Sequence, residues 1–151
     1  NMTWLQPPGH VHAMISQSWQ PLAVNFSLSS GCPTSLNVSA GDVSAAASQD
    51  GSSASVRIVN DAAAELHVSV VMTPSGVSDP RAAATGTAVA SLLQGSACAQ
   101  NDSFPYVSEH TACANTPAQP DLFAPTSWER VAAAGLRVPS YSYAIVKVQR
   151  G

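Results

Sequence analysis

Charge is scarce in this chain: charged residues make up 10% of its 151 residues, and the formal net charge is −3. A nucleic-acid interface needs clustered Lys and Arg side chains that neutralise phosphates. Because the sequence has 6 basic residues against 9 acidic ones, it predicts no nucleic-acid partner.

Long apolar runs are also missing, although 45% of the residues are hydrophobic. Much of that share is alanine scattered among Ser, Thr, Gly and Pro, whereas a membrane-spanning helix needs about 20 consecutive apolar residues. The start, Asn1-Met2-Thr3-Trp4, has neither the basic residues nor the apolar run of a secretory signal. We therefore expect no membrane span, and we expect the chain to be a mature or processed piece of a longer protein.

The short motifs that mark a catalytic or cofactor site are absent as well. There is no G-x-S-x-G elbow and no glycine-rich phosphate loop. Glu65, Glu109 and Glu129 stand apart in turn-like or loop surroundings, so we interpret them as solvated surface groups and not as the paired carboxylates of a glycosidase. His10 and His12 would diverge on a helix. The sequence thus predicts no catalytic residue, no metal site and no cofactor.

What the sequence does contain is the alternating pattern of half-buried β-strands, clearest at 43–71. Gln49-Asp50-Gly51 interrupts this pattern, and because Asp-Gly favours positive φ angles we predict a β-hairpin there. The face predicted to be buried carries Ala54, Val56 and Ile58, and the face predicted to be solvated carries Ser55 and Arg57.

Residues 1–24 show helical periodicity instead. Pro7-Pro8 can begin a helix and Pro21 can end one. The side chains at helical spacing between them are Val11, Met14, Ile15, Ser18 and Trp19. We predict one amphipathic helix at 8–20 that packs against a sandwich or a partner, and we assign 1–24 to an N-terminal segment and 25–151 to a β-sandwich domain.

Short strands separated by Gly, Pro and Ser account for most of the remaining sequence. We predict strands at 22–28, 36–38 and 88–93. Residues 66–70 are predicted to add a third strand to the hairpin sheet, and 136–148 to form a final pair of strands. We predict a helical turn at 128–134, ended by Gly135. For 94–127 we predict a long loop that is held in place by a disulfide or by packing on another surface. The predicted fold is all-β: an antiparallel β-sandwich of jelly-roll type preceded by one amphipathic helix, with an immunoglobulin-like topology as the alternative.

Two features favour a secreted, extracellular protein. N-glycosylation sequons occur at Asn1, Asn25, Asn37 and Asn101. Cys98 and Cys113 bracket 14 residues, and a disulfide between them would stabilise the fold by about 3 kcal/mol in the loop-entropy model. Cys32 is then free and buried, or paired with one of the other two, or bonded to a segment outside this sequence; three unrelated buried thiols are the remaining alternative.

Aromatic side chains give the sequence its candidates for sugar contact. Trp4, Tyr106 and Trp128 lie where a ring could stack on a sugar. Trp19, on the helical stripe, and Tyr143, which shares a strand face with Ile145, are predicted to be core residues instead.

Several segments together resemble the C-terminal region of family 51 α-L-arabinofuranosidases. They are Gln6-Pro7-Pro8-Gly9-His10-Val11-His12-Ala13-Met14-Ile15 with Trp19, the hairpin VSAAASQDGSSASVRIVN leading to LHVSVV, Leu93-Gln94-Gly95, Asn115-Thr116-Pro117, Gln119-Pro120-Asp121, and the closing VPSYSYAIV. The sequence departs from the family at 96–113, with its two cysteines, and at Gly9 and His10, where aromatics are common.

The resemblance implies a non-catalytic C-terminal β-sandwich that supports a catalytic (β/α)8 barrel in a secreted retaining glycosidase. In that family the acid/base and nucleophile glutamates lie on the barrel, so no residue of this chain takes their roles. The implied partner is the barrel of the same parent protein or another extracellular chain. The alternatives are a module that binds arabinose-containing polysaccharide and a structural module of an extracellular glycoprotein assembly.

Overall fold

The computed structural model of this chain describes residues 5–27, 43–62, 64–72, 88–94, 121 and 123–149. Within these residues the helix and strands are, in chain order, α1 Pro7–Gln17, β1 Leu22–Ala23, β2 Val43–Ala47, β3 Ser53–Asn60, β4 Leu66–Val68, β5 Ala88–Gln94, β6 Glu129–Val131, β7 Leu136–Val138 and β8 Ser142–Gln149. The strand pairs are antiparallel, so the predicted all-β class with one preceding helix is confirmed. The jelly-roll connection and the domain division at residue 24 stay predictions.

The predicted hairpin is formed by β2 and β3, which pair from Val43 opposite Ile58 to Ala47 opposite Ala54. Its turn contains Gly51 at φ +69°, a conformation that a side chain would strain. One carboxylate oxygen of Asp50 accepts hydrogen bonds from the Ser48 hydroxyl at 2.6 Å and from the Ser52 hydroxyl and amide at 2.8 and 3.0 Å. These hydrogen bonds lower the pKa of Asp50 to about 2, and the bond from Ser48 has the largest effect.

Strand β8 lies near the middle of a six-stranded sheet with the order β1-β2-β3-β8-β5-β6. It pairs with β3 from Ser53 to Asn60 and with β5 from Ala88 to Gln94. Ala144, Ile145 and Val146 are 0% exposed. A run of consecutive buried residues requires cover on both faces of a sheet, and the structure supplies a different cover on each face.

The first face is covered by a small sheet of β4 and β7. Its core consists of Ile58, Leu66, Ala88, Ala90, Leu136, Val138, Ala144, Val146 and Val148. Two sequence predictions were wrong here: 66–70 adds no third strand to the hairpin sheet, and 136–148 is not one strand pair, because β7 joins β4 while β8 joins β3 and β5. Alternation identifies the buried face of a strand and not its partner, which is the reason for both errors.

The opposite face is covered by α1, and we call it the helix side of the sheet. Met14, 2% exposed, packs there with Leu93 and Ile145, and Val11 and Ile15 pack around them. Ser55, predicted to face solvent, is 1% exposed because the end of α1 covers it. The predicted solvent face is therefore wrong at Ser55, and Arg57 on the same face is half-buried.

The helix ends earlier than predicted, at Gln17. The buried Ser18 follows it, and its amide donates to the carbonyls of Met14 and Ile15. The chain then leaves the sheet surface, so Trp19 is 66% exposed and the prediction that it belongs to the core was wrong. Tyr143 is half-buried, and its ring packs against the cluster of Met14, Leu93 and Ile145.

Two further boundaries differ from the predictions. Residues 129–131 form β6, paired with Ala88–Ala90, where we predicted a helical turn, because pairing along β5 satisfies their backbone. In the described part of the predicted 22–28 strand, residues 22–27, only Leu22–Ala23 forms ladder pairs with a neighbouring strand. The predicted strand at 36–38 and most of the loop 94–127 lie outside the described residues. In the described part of the chain, no helix is long and apolar enough to span a membrane.

Candidate functional site

Two of the sequence-predicted site residues, Asn25 and Trp128, lie among the residues that the structure describes. The others lie outside them: Asn1, Asn37, Asn101, Cys98, Cys113, Trp4, Tyr106 and the unassigned Cys32. Glycosylation at the other three sequons, the Cys98–Cys113 disulfide and sugar contact at Trp4 and Tyr106 therefore stay predictions.

Asn25 lies just beyond the edge strand β1. The three residues of its sequon, Asn25-Phe26-Ser27, are all exposed. An accessible, non-helical segment is what a glycosylation acceptor requires, so this position suits the modification, which stays a prediction.

Trp128 joins the end of α1 to the six-stranded sheet. Its indole Nε1–H donates to Oε1 of Gln17 at 3.2 Å, and its ring packs against the cluster of Met14, Leu93 and Ile145. The Nζ of Lys147 lies 4.0 Å from the ring centroid and donates to the backbone carbonyl of Gln17 at 2.8 Å. A cation at this place satisfies a terminal helix carbonyl and interacts favourably with the helix dipole and the aromatic ring.

These contacts define what Trp128 can offer a ligand. Lys147 occupies ring surface and Gln17 occupies the indole N–H, so the part of the half-buried ring left for stacking is limited. Partial burial lowers the pKa of Lys147. No sequence pattern pairs Trp128 with Gln17, which is 111 residues away. A sugar contact at Trp128 stays a prediction.

The carboxylates of the described residues are all exposed: Asp50, Asp61, Glu65, Asp121 and Glu129. A retaining glycosidase needs two carboxyl groups about 5 Å apart, and burial raises the pKa of the one that acts as an acid. The pKa of Asp50 is shifted in the opposite direction. The interpretation of Glu65 and Glu129 as surface groups is confirmed, and Glu109 lies outside the described residues.

Glu65 belongs to an exposed ion-pair cluster on the outer face of the small sheet. One of its oxygens lies 3.2 Å from Nε2 of His67 and 3.7 Å from a guanidinium nitrogen of Arg137. Within the described ranges, no three His, Cys, Asp or Glu side chains are placed to hold a metal ion.

Arg57 and Tyr143 form a second polar group on the helix side of the sheet, which the sequence analysis did not identify. Arg57 pairs with Ile145, and Val59 pairs with Tyr143, so Arg57 and Tyr143 are diagonal neighbours. The Arg57 Nε and the Tyr143 hydroxyl are buried and have no hydrogen-bond partner among the residues that the structure describes. Burial raises the pKa of Tyr143, and the nearby Arg57 charge partly offsets this. Alternation places the two residues on one face, but it does not indicate that their side chains meet or that these two polar atoms are buried.

No family model matches this sequence, and no curated protein does. Among solved structures it is similar to MgGH51, an arabinose-bound GH51 α-L-arabinofuranosidase, at 11% identity and a TM-score of 0.59 over 100% of this chain and 20% of that chain. GH51 arabinofuranosidases of Thermotoga petrophila RKU-1 (20% identity, TM-score 0.47) and Thermotoga maritima (an arabinose complex; 19%, 0.44) match over 72% of this chain and 19% of theirs. The chain thus spans about a fifth of the length of these enzymes, and with MgGH51 it shares the fold of that fifth.

Proposed function

We propose that this chain is the non-catalytic, C-terminal β-sandwich of a secreted glycoside hydrolase of the α-L-arabinofuranosidase type. In this proposal a (β/α)8 barrel outside the given sequence performs the reaction, and the present residues cover one side of that barrel. The observation that carries the proposal is the likeness of the whole chain to a fifth of MgGH51.

The placement of the acidic side chains supports a non-catalytic role. An acid catalyst for glycosidic cleavage is tuned by burial or by a neighbouring carboxylate. The five described carboxylates are instead solvated and belong to a turn, to strand ends and to a surface ion-pair cluster. Hydrolysis would therefore depend on glutamates of the barrel.

The exposed apolar side chains between α1 and residue 27 support a role in packing. Trp19, Leu22 and Phe26 are all substantially exposed. Large apolar groups close together in sequence and open to water favour contact with another protein surface. An inert domain that packs beside a barrel would bury such groups.

The experiment uses the natural polypeptide that contains this chain and the chromogenic substrate 4-nitrophenyl α-L-arabinofuranoside. We expect hydrolysis that is lost when the two barrel glutamates are changed to Gln. The matched controls Glu65→Gln and Glu129→Gln should leave kcat and KM unchanged, because both side chains are solvated surface groups. Absence of hydrolysis, or its loss in either control variant, would contradict the proposal.

Two further measurements separate the two alternatives. Saturable binding of arabinan by residues 1–151, abolished by Trp128→Ala, would indicate a carbohydrate-binding module. Ordered self-association without sugar, in a polypeptide that does not hydrolyse arabinofuranosides, would indicate a structural module of a glycoprotein assembly.

A further inference from the structure

The helix side of the sheet carries a group of side chains that α1 does not fully cover. We define the Arg57 patch as Ser44, Arg57, Val59 and Tyr143. Ser44 pairs with Arg57 between β2 and β3, and Val59 pairs with Tyr143 between β3 and β8, so all four side chains project from the same face. Ser44 is exposed and Val59 is 42% exposed, so this part of the face is open at its border.

Arg57 has no anionic partner among the described residues. The ion pairs found there belong to Glu65, on the outer face of the small sheet at the other side of the molecule. Asp50 is engaged by Ser48 and Ser52 in the hairpin turn. Within the described part of the chain, the half-buried guanidinium therefore has no carboxylate to balance its charge.

Two donors of the patch are already removed from water. The Arg57 Nε and the Tyr143 hydroxyl are buried, and no described residue gives either of them a hydrogen-bond partner. A buried donor that lacks an acceptor is destabilising, and native proteins rarely leave one so. An acceptor supplied from outside the described residues would remove this penalty.

We propose that the Arg57 patch is the place where an acidic side chain of the catalytic barrel docks, with the guanidinium of Arg57 receiving its carboxylate and Tyr143 lying beside it. This inference rests on the proposed function, because the barrel is the partner named there. A guanidinium binds a carboxylate through two parallel hydrogen bonds, which fixes orientation as well as position. The exposed Val59 favours a protein surface over a soluble anion, since its side chain gains from apolar cover.

The test joins the carboxylate covalently to position 57. In the natural polypeptide that contains this chain, Arg57→Lys keeps the charge and supplies an amine, and a carbodiimide links that amine to a carboxylate in contact with it. We expect an isopeptide-linked peptide pair, absent from the wild type, between position 57 and an Asp or Glu of the barrel, located by mass spectrometry. The matched control is Arg137→Lys, which should be linked to Glu65 because these side chains form an ion pair at 3.7 Å.

The outcomes separate the possible occupants. A link from position 57 to Asp42, Asp79, Asp102 or Glu109 of this chain, or to a second copy, would overturn the barrel as partner. No link at position 57 while the Arg137→Lys control reacts would overturn the proposal. Arabinofuranoside hydrolysis is measured on the same sample, so a polypeptide that hydrolyses the substrate without the link refutes only this inference, and one without hydrolysis refutes the proposed function.

A second measurement does not depend on crosslinking. Arg57→Gln should increase amide hydrogen exchange in the barrel segment that carries the acidic residue, while Arg137→Gln should not. A purely structural role of Arg57 within the sandwich would change exchange in β2, β3 and β8 alone, and that result would also overturn the proposal.

Discussion

The hydroxyl of Ser55 donates a hydrogen bond of 2.7 Å to the backbone carbonyl of Ser18, 37 residues earlier in the chain. Both residues are 1% exposed. The last carbonyls of a helix have no partner within the helix, and this bond supplies one to Ser18, the residue directly after α1. It therefore connects the helix to β3 at a point that water does not reach.

Replacing that hydroxyl should weaken the connection. Ser55→Ala leaves the Ser18 carbonyl buried without a partner, and we expect a loss of about 1–3 kcal/mol in the free energy of unfolding. Urea denaturation of the natural polypeptide measures it. Ser127→Ala, an exposed serine before β6, is the control and should change stability by less than about 0.5 kcal/mol. Equal effects of the two substitutions would contradict this interpretation.

Asn60 should be intolerant of substitution because its side chain joins the two sheets. Its amide nitrogen lies 2.9, 3.1 and 2.7 Å from the carbonyl oxygens of Ala64, Val138 and Pro139, which share its two hydrogens, and its oxygen accepts from the amide of Ala62. Asn60→Ala removes these hydrogen bonds from a buried site, and we expect a cost of about 2–3 kcal/mol. Asn60→Asp should cost more, since a carboxylate would face carbonyl oxygens.

The thermal midpoint of unglycosylated protein measures the Asn60 effect. Asn25→Ala, at an exposed position after β1, is the comparison and should leave the midpoint unchanged. A midpoint of Asn60→Asp equal to that of the wild type would show that the side chain does not hold the sheets together.

Trp128 and Lys147 should be coupled energetically. Lys147→Met keeps the apolar stem but removes the cation from the ring and from the helix end, and we expect a cost of about 1 kcal/mol. In a double-mutant cycle with Trp128→Phe, part of that cost should disappear, because a smaller ring without the N–H holds the cation less well. The cycle of Arg130→Met with Trp128→Phe should give no coupling. Additive effects of Lys147→Met and Trp128→Phe would refute the stacked geometry.

Asp50 should contribute to the acid dependence of stability. Its pKa of about 2 in the folded chain lies below the ordinary value of 3.8, so the folded state binds the proton less readily than the unfolded state. Its stabilising effect is therefore complete above pH 3.8 and is lost as the pH falls through about 2. The advantage of the wild type over Asp50→Asn in thermal midpoint should shrink over that range.

Carboxyl titration by NMR gives the direct check on Asp50. Ser48→Ala, which removes the largest cause of the shift, should raise the midpoint toward 3.8. A wild-type midpoint already at 3.8 would show that the turn does not bind the carboxylate as described.

Local pattern was sufficient for those parts of the fold that local interactions determine. The Asp50-Gly51 turn, the strand at β5 and the apolar face of α1 around Met14 were predicted because turn chemistry and periodicity act between near neighbours. The limits of α1 and β1 were less accurate, since burial beyond the element decides where it ends.

Long-range pairing accounts for what the sequence did not predict. Periodicity assigned Leu66 to the hairpin sheet, but the amide of Asn60 directs the chain toward β7 instead. Ser55 has a polar side chain, yet the carbonyl of Ser18 makes its burial favourable. No local motif encodes the strand registers. Those registers bring Trp128 into contact with Gln17 and make Arg57 and Tyr143 diagonal neighbours on adjacent strands.

The position of β8 has a consequence for how the protein is made. The ribosome delivers β3 and β5 long before Ser142–Gln149, yet both must pair with that late segment. Until it emerges, each has an open backbone edge that can pair with another chain. A premature stop codon ahead of Ser142 would leave these edges open permanently, so its product should aggregate and be degraded instead of persisting as a shortened domain.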